Sequence, residues 1–87
     1  MDWKIKVSDT ARKQIIKFER QIQGRILRFL RDRVEKNPYD IGKPLKSNLA
    51  GLWRYRVGDY RVICEIQKKI LTVLVVRIGH RREVYKK

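Results

Sequence analysis

The residues able to do chemistry fall in two short stretches. Arg54 and Arg56 stand two apart in Trp53-Arg54-Tyr55-Arg56-Val57, and Arg61 follows the pair Gly58-Asp59. The chain closes on Gly79-His80-Arg81-Arg82-Glu83-Val84-Tyr85-Lys86-Lys87. Residues two apart in a strand share a face, so Arg54 and Arg56 project together, opposite Trp53, Tyr55 and Val57. Guanidinium groups gathered on adjoining strands repel one another unless an anion lies between them, and a phosphate answers that need bidentately. Tyr85 can stack on a base or move a proton, and nearby positive charge would lower its pKa. His80 is the one side chain here whose ordinary pKa lies near neutrality. Taken singly, each has a plainer account: solvated strand charges, a surface histidine, a basic tail, a terminal aromatic packed on a sheet edge.

The reaction open to such a set is narrow. One Cys and one His cannot build a zinc site. No carboxylate pair in register, Gly-rich phosphate loop or Ser-His-Asp arrangement is present, so no cofactor is expected. What remains is metal-free cleavage of RNA. The 2′-OH attacks the adjacent phosphate, a base takes its proton, cations stabilise the phosphorane, and an acid protonates the departing 5′-oxygen. DNA lacks the internal nucleophile.

The whole-chain balance agrees. Twenty-three Lys and Arg against nine Asp and Glu leave a net charge of +14 on 87 residues. A field of that size opposes folding and draws polyanions, nucleic acid first, since binding releases condensed counterions. An acidic protein partner fits the same field. The 43% apolar content is that of a globular chain. Its length suits one domain, taken as residues 1–87. Cys64 lies in an apolar segment and reads as a small core residue. With no membrane-spanning run and no secretory signal before the first strand, a cytoplasmic protein is expected.

The elements that must position these residues follow from periodicity. Trp3, Ile5 and Val7 alternate with Lys4 and Lys6, a half-buried strand. Ser8 or Asp9 offers an N-cap. Ala11, Ile15, Phe18 and Ile22 then fall on one helical face, and Ile22, Ile26, Phe29, Leu30 and Val34 form a further stripe. The two helices are either separate or joined through a bend near Gly24. Asn37-Pro38 ends the second, because the residue before Pro is pushed out of the α region. Residues 37–50 form a loop with a short extended piece at Pro44-Leu45. Strands are expected at 52–57, 60–66 and 70–78, joined by a tight turn at Gly58-Asp59 and another at 67–69. The order is βααβββ, an α+β fold with a helical hairpin packed on one face of a small, mainly antiparallel sheet.

These segments resemble the RelE toxins of bacterial and archaeal toxin–antitoxin pairs, within the RelE/ParE superfamily. The resemblance covers nearly the whole chain. It rests on the opening strand and helical hairpin, on residues 43–56 (Lys-Pro-Leu-Lys-Ser-Asn-Leu-Ala-Gly-Leu-Trp-Arg-Tyr-Arg), on Gly58-Asp59-Tyr60-Arg61-Val62-Ile63, and on 78–85 (Ile-Gly-His-Arg-Arg-Glu-Val-Tyr). It implies a ribosome-dependent mRNA endonuclease cutting in the A site. Arg54 and Arg56 then match two basic strand positions, Arg61 the next-strand Arg, Arg81 the C-terminal Arg and Tyr85 the Tyr, with His80 a further catalytic candidate. Arg54, Arg56, Arg61, Arg81, Arg82 and Lys46 would bind RNA. The two strand positions are Lys in the best-known RelE. Arg keeps its proton, with a pKa above ~12, so Arg54 and Arg56 should stabilise charge rather than act as a base. The implied partners are a RelB-like antitoxin, the ribosome and mRNA, with operator DNA reached only through the antitoxin complex. A ParE-like gyrase inhibitor without nuclease activity is the alternative.

Overall fold

The computed structural model describes residues 2–82. Strand β1 spans Lys4–Val7 and leads directly into helix α1, Asp9–Ile15. Ser8 starts that helix: its Oγ accepts the Ala11 amide at 3.1 Å, satisfying one of the orphan donors of the first turn. Asp9 adds a negative charge at the positive end of the helix dipole. Helix α2, Arg20–Phe29, runs on through a wider turn, Leu30–Val34, in which the Glu35 amide donates to the Leu30 carbonyl at 2.8 Å. The two helices are therefore separate. Phe18 lies in their connection rather than on the first helical face, where the periodicity had put it, and Gly24 lies inside α2 instead of between the helices.

Four further strands complete the sheet: β2, Lys43–Pro44; β3, Trp53–Val57; β4, Tyr60–Gln67; and β5, Thr72–His80. Their order is β1-β5-β4-β3-β2. All neighbours are antiparallel except β1 and β5, which run parallel after the helical crossover. Strand β5 begins two residues later than expected and carries Gly79 and His80 within it. The reason is local: residues Lys68–Ile70 make a 3-10 turn, and Leu71 closes it in the left-handed region at φ 48.

The helices cover one face of the sheet. Ala11 and Ile15 from α1 and Ile26, Leu30 and Val34 from the second helix pack on Tyr55, Val57, Val62, Cys64, Val73, Val75 and Ile78. Ile26 and Val34 have no exposed surface, and burying each such side chain contributes roughly 1.5–3 kcal/mol. The aromatic face of β3 does turn inward. The buried Tyr55 hydroxyl donates to the Pro38 carbonyl at 2.7 Å, and Trp53 Nε1 donates to the Ile41 carbonyl at 2.8 Å. These two bonds clamp the 38–42 loop onto β3. Gly42, at φ +75, is required there, because a Cβ would come within 2.7 Å of the Trp53 and Tyr55 rings. Burial pushes the Cys64 thiol far up from its ordinary range, which keeps it a neutral core group. No helix is long and apolar enough to cross a membrane among the described residues.

Candidate functional site

The other sheet face carries the cations. Tyr55 and Val57 face the helices, so Arg54 and Arg56 face away. Register carries this across the sheet. Arg56 pairs with Arg61, and Arg61 with Gly79. One row further in, Arg54 pairs with Ile63, and Ile63 with Arg77. Arg56 and Arg61 are thus directly opposite, where Cβ atoms lie about 4.5–5.5 Å apart and like charges repel. Nothing in a helix-packed core requires that arrangement.

The hairpin between β3 and β4 brings Arg61 to this place. Gly58 occupies its first central position at φ 61, while Asp59 lies outside the left-handed region, the pattern of a type II′ turn. Arg61 is only 9% exposed, and its Nη1 donates to the carbonyls of Gly58 at 3.3 Å and Tyr60 at 3.2 Å. The guanidinium is therefore held in a fixed pose against the turn. Arg81 reaches the same turn from the end of β5, its amide donating to the Asp59 carbonyl at 2.9 Å. Arg56, Arg61 and Arg81 so meet at the hairpin end of the sheet, with Arg54 one row behind. Arg54 Nε is buried without a hydrogen-bond partner among the described residues. An unmade bond of that kind costs stability and leaves a donor ready for an acceptor brought from outside.

Other expected residues lie apart. His80 pairs in register with Tyr60 and so belongs to the helix-side face, opposite Arg61 and Gly79. Its ring meets Tyr60 edge-on at 5.8 Å, and its Nδ1 accepts the Arg82 amide at 3.3 Å. Arg82 is exposed. Lys46 is exposed just before the short 3-10 turn Ser47–Leu49, at the end of β3 away from the hairpin. Tyr85 lies outside the described residues.

Two cations were not singled out by sequence. Arg77 joins the open face because β5 carries an extra residue: Cys64 pairs with Val75 and Ile63 with Arg77, leaving Val76 as a bulge. The signal was present in Val75-Val76-Arg77-Ile78, an apolar doublet that breaks strict alternation. Arg25 crosses the hairpin from α2, and a Cβ on Gly58 would lie 2.9 Å from its Nη1. A cleft of ≈ 390 Å³ there is lined by Arg25, Arg28, Arg33 and Arg56 together with Asp32. The basic surface thus continues from the sheet edge onto α2. Among the described residues no group of His, Cys, Asp and Glu could hold a metal ion.

The family model for the ParE toxin of type II toxin–antitoxin systems matches residues 5–85, nearly the entire chain. The chain belongs to the RelE/ParE family of type II toxins. Among curated relatives, toxin RelG of Mycobacterium tuberculosis is 30% identical over 87 residues, covering 100% of each chain. A crystal structure of the toxin–antitoxin complex RelBE2 from M. tuberculosis superposes with a TM-score of 0.88 at 30% identity, covering 93% of this chain and 100% of that one. An archaeal RelE–RelB complex from Pyrococcus horikoshii superposes at 0.74 with 26% identity, covering 95% and 99%. The RelE/ParE architecture, two helices on one face of a five-stranded mixed sheet, is shared. The arginine-rich open face is what this family member presents on the side the helices leave bare.

Proposed function

We propose that this RelE/ParE-family toxin is a ribosome-dependent mRNA endonuclease. The observation that carries the reading is the meeting of Arg56, Arg61 and the Arg81 backbone at the hairpin end of the open sheet face. Cations so arranged suit the phosphorane of an RNA diester, where negative charge grows during attack.

In the proposed step the 2′-oxygen bonds to the adjacent phosphorus and its proton passes to a base. The bond to the 5′-oxygen breaks and that oxygen gains a proton, leaving a 2′,3′-cyclic phosphate and a 5′-hydroxyl. Arg61, held by the turn carbonyls, and Arg81 stabilise the charge; Arg54 and Arg56 bind the flanking phosphates. Arginine cannot act as the base. His80 faces away from the cations, which supports leaving proton transfer to Tyr85 or to a group of the ribosome. So little acid–base equipment fits an enzyme that depends on a ribosome to bend the message and align the 2′-OH, a gain from orientation.

The proposed partners are the ribosome with its mRNA and a RelB-like antitoxin whose acidic segment covers the basic surface. RelB accompanies the toxin in the M. tuberculosis and P. horikoshii complexes, which supports the latter. Operator DNA would be bound through the antitoxin.

Primer extension on an mRNA, with and without ribosomes stalled with an empty A site, tests the proposal. A discrete cut that needs ribosomes and disappears in Arg81→Ala is expected. No cut in either condition, with inhibition of gyrase supercoiling instead, would overturn it in favour of a ParE-type activity.

A further inference from the structure

The sheet has a gap in its outer edge. Val57 and Tyr60 close the two-residue hairpin and so exchange both of their hydrogen bonds. Bonding direction alternates along an antiparallel strand, so the amide and carbonyl of Arg56 point away from β4. The far side of β3 agrees: the Leu45 amide donates to the Leu52 carbonyl at 2.9 Å, and Lys43 pairs with Arg54. Leu52, Arg54 and Arg56 thus turn their backbone groups to the outer edge. Leu45 and β2 serve the first two, and β2 stops at Lys43. Gly42, at φ +75, then turns the chain out of line, and Trp53 and Tyr55 hold the 38–42 loop on the helix side. Arg56 is left with a donor and an acceptor side by side and no strand to meet them among the described residues.

Open space lies beside this gap. A cavity of ≈ 310 Å³ is lined by Phe29, Ile41, Gly42, Lys43, Arg54 and Arg56. That is the lower end of the range for small-ligand pockets, about 300–1,000 Å³. Phe29 and Ile41, both half-buried, form its apolar wall. Tyr55 meets the Phe29 ring edge-on at 6.1 Å, so no ring stacks face to face on Phe29 among the described residues. Arg54 adds its Nε, buried and without a hydrogen-bond partner among those residues. The adjoining cleft shares Phe29 and Arg56 with this cavity and brings Arg25, Arg28 and Arg33 to its border.

The number of open groups decides what fits. A docked peptide strand needs a run of unpaired edge groups. Here there is one pair, because Leu52 and Arg54 are covered and, beyond Arg56, the Gly58 carbonyl already accepts Arg61 Nη1. One donor and one acceptor beside an aromatic wall suit a planar heterocycle. Every nucleobase has a donor next to an acceptor on its Watson–Crick edge, and a π-face to stack. The bordering cations favour a base that carries phosphate over a neutral ring.

We propose that the gap between β2 and the hairpin is a nucleobase pocket, in which the Arg56 amide and carbonyl bond the edge of the base and Phe29 packs on its face. The ligand class is a nucleotide. A base of the message beside the cut and a free mononucleotide present the same groups, and only the first of these rests on the nuclease reading.

The test follows the full chain by two-dimensional NMR while the 5′-monophosphates of adenosine, cytidine, guanosine and uridine are titrated in. Ribose 5-phosphate is the control that lacks a base. Saturable shifts at the Arg56 amide and the Phe29 ring are expected with the nucleotides, and ribose 5-phosphate should leave the Phe29 ring unmoved. Phe29→Leu keeps an apolar wall without a π-face. It should weaken nucleotide binding at least fivefold with spectral dispersion retained, since stacking on an aromatic ring is worth about five- to 150-fold in affinity. Equal affinity in a folded Phe29→Leu protein overturns the pocket. In the wild-type chain, ribose 5-phosphate shifting both signals as strongly as the nucleotides also overturns it. So does an acidic peptide of alternating glutamate and valine that moves these signals where nucleotides do not, because the gap is then a strand-docking edge. A trinucleotide RNA that binds at least tenfold tighter than any monophosphate identifies the base as part of a strand; equal affinity identifies a free nucleotide. A protein that binds nucleotides in this pocket and cuts no message on ribosomes retains the pocket and refutes the nuclease. Ribosome-dependent cutting by a protein whose Arg56 and Phe29 signals no nucleotide moves refutes the pocket and retains the nuclease.

Discussion

Replacing Arg61 with Ala separates the two things this residue does. Its Nη1 bonds to the Gly58 and Tyr60 carbonyls make it part of the hairpin, and its place opposite Arg56 makes it part of the cationic face. Hydrogen bonds from a charged donor contribute about 1.5–3 kcal/mol. Two effects reduce the net loss: Gly58 is exposed, so water can replace the donor at its carbonyl, and removing one of two facing like charges relieves repulsion. A net cost of about 1–2 kcal/mol follows, which lowers the melting temperature of a domain this size by roughly 4–16 °C. A small domain holds about 5–15 kcal/mol and so stays folded at 25 °C. The chemical loss is larger, because one preorganised donor aimed at developing charge is worth about a hundredfold to a thousandfold in rate. The assay is single-turnover cleavage of an mRNA on stalled ribosomes, with a circular-dichroism melt of the same preparation. Arg61→Lys keeps the charge but loses the rigid fork and should fall between the two. A folded Arg61→Ala protein that cuts within threefold of wild type would refute the reasoning.

Three further outcomes test the framework around the site. Gly58→Ala should cost at least about 1 kcal/mol, since φ 61 is unfavourable for an L side chain and the new Cβ meets Arg25; a denaturant midpoint equal to wild type would contradict the turn geometry. Ile15→Asp buries a carboxylate at a 7% exposed core position and should prevent folding, as judged by loss of near-ultraviolet circular dichroism; a native spectrum would contradict the helix packing. Burial pushes both Tyr55 and Cys64 above their ordinary pKa values of 10.0 and 9.0. The unfolded chain therefore releases these protons first as pH rises. The stability they contribute is whole below pH 9 and falls above it, by up to about 1.4 kcal/mol per pH unit for each ionising group. Urea midpoints measured from pH 8 to 11 should decline, and Cys64→Ala should make the decline shallower; a flat profile would contradict the burial.

Much of the fold was legible because it rests on local rules. Alternation in β3 sorted Trp53, Tyr55 and Val57 from Arg54 and Arg56, since successive strand residues must point to opposite faces. Gly58-Asp59 marked the hairpin, because only glycine takes its first central position without strain. Ser8 announced α1 through the orphan amides any helix start must satisfy. The separation of the two helices was less legible, since Phe18 sustains a helical period that the chain breaks for tertiary reasons: its ring packs on Tyr60 at 4.8 Å.

What only the tertiary structure decided is which side chains share the open face near the chain's end. Sequence by itself determined a basic sheet-and-helix domain with Arg54, Arg56 and Arg61 on adjoining strands. It grouped His80 with those cations and passed over Arg77. Both outcomes turn on one residue of register at Val76. Pairing partners and bulges are set by the neighbouring strand and by Ser8 and Gln14, some sixty residues earlier in the chain, and the side-chain period of two means that a single extra residue exchanges the faces of all that follow.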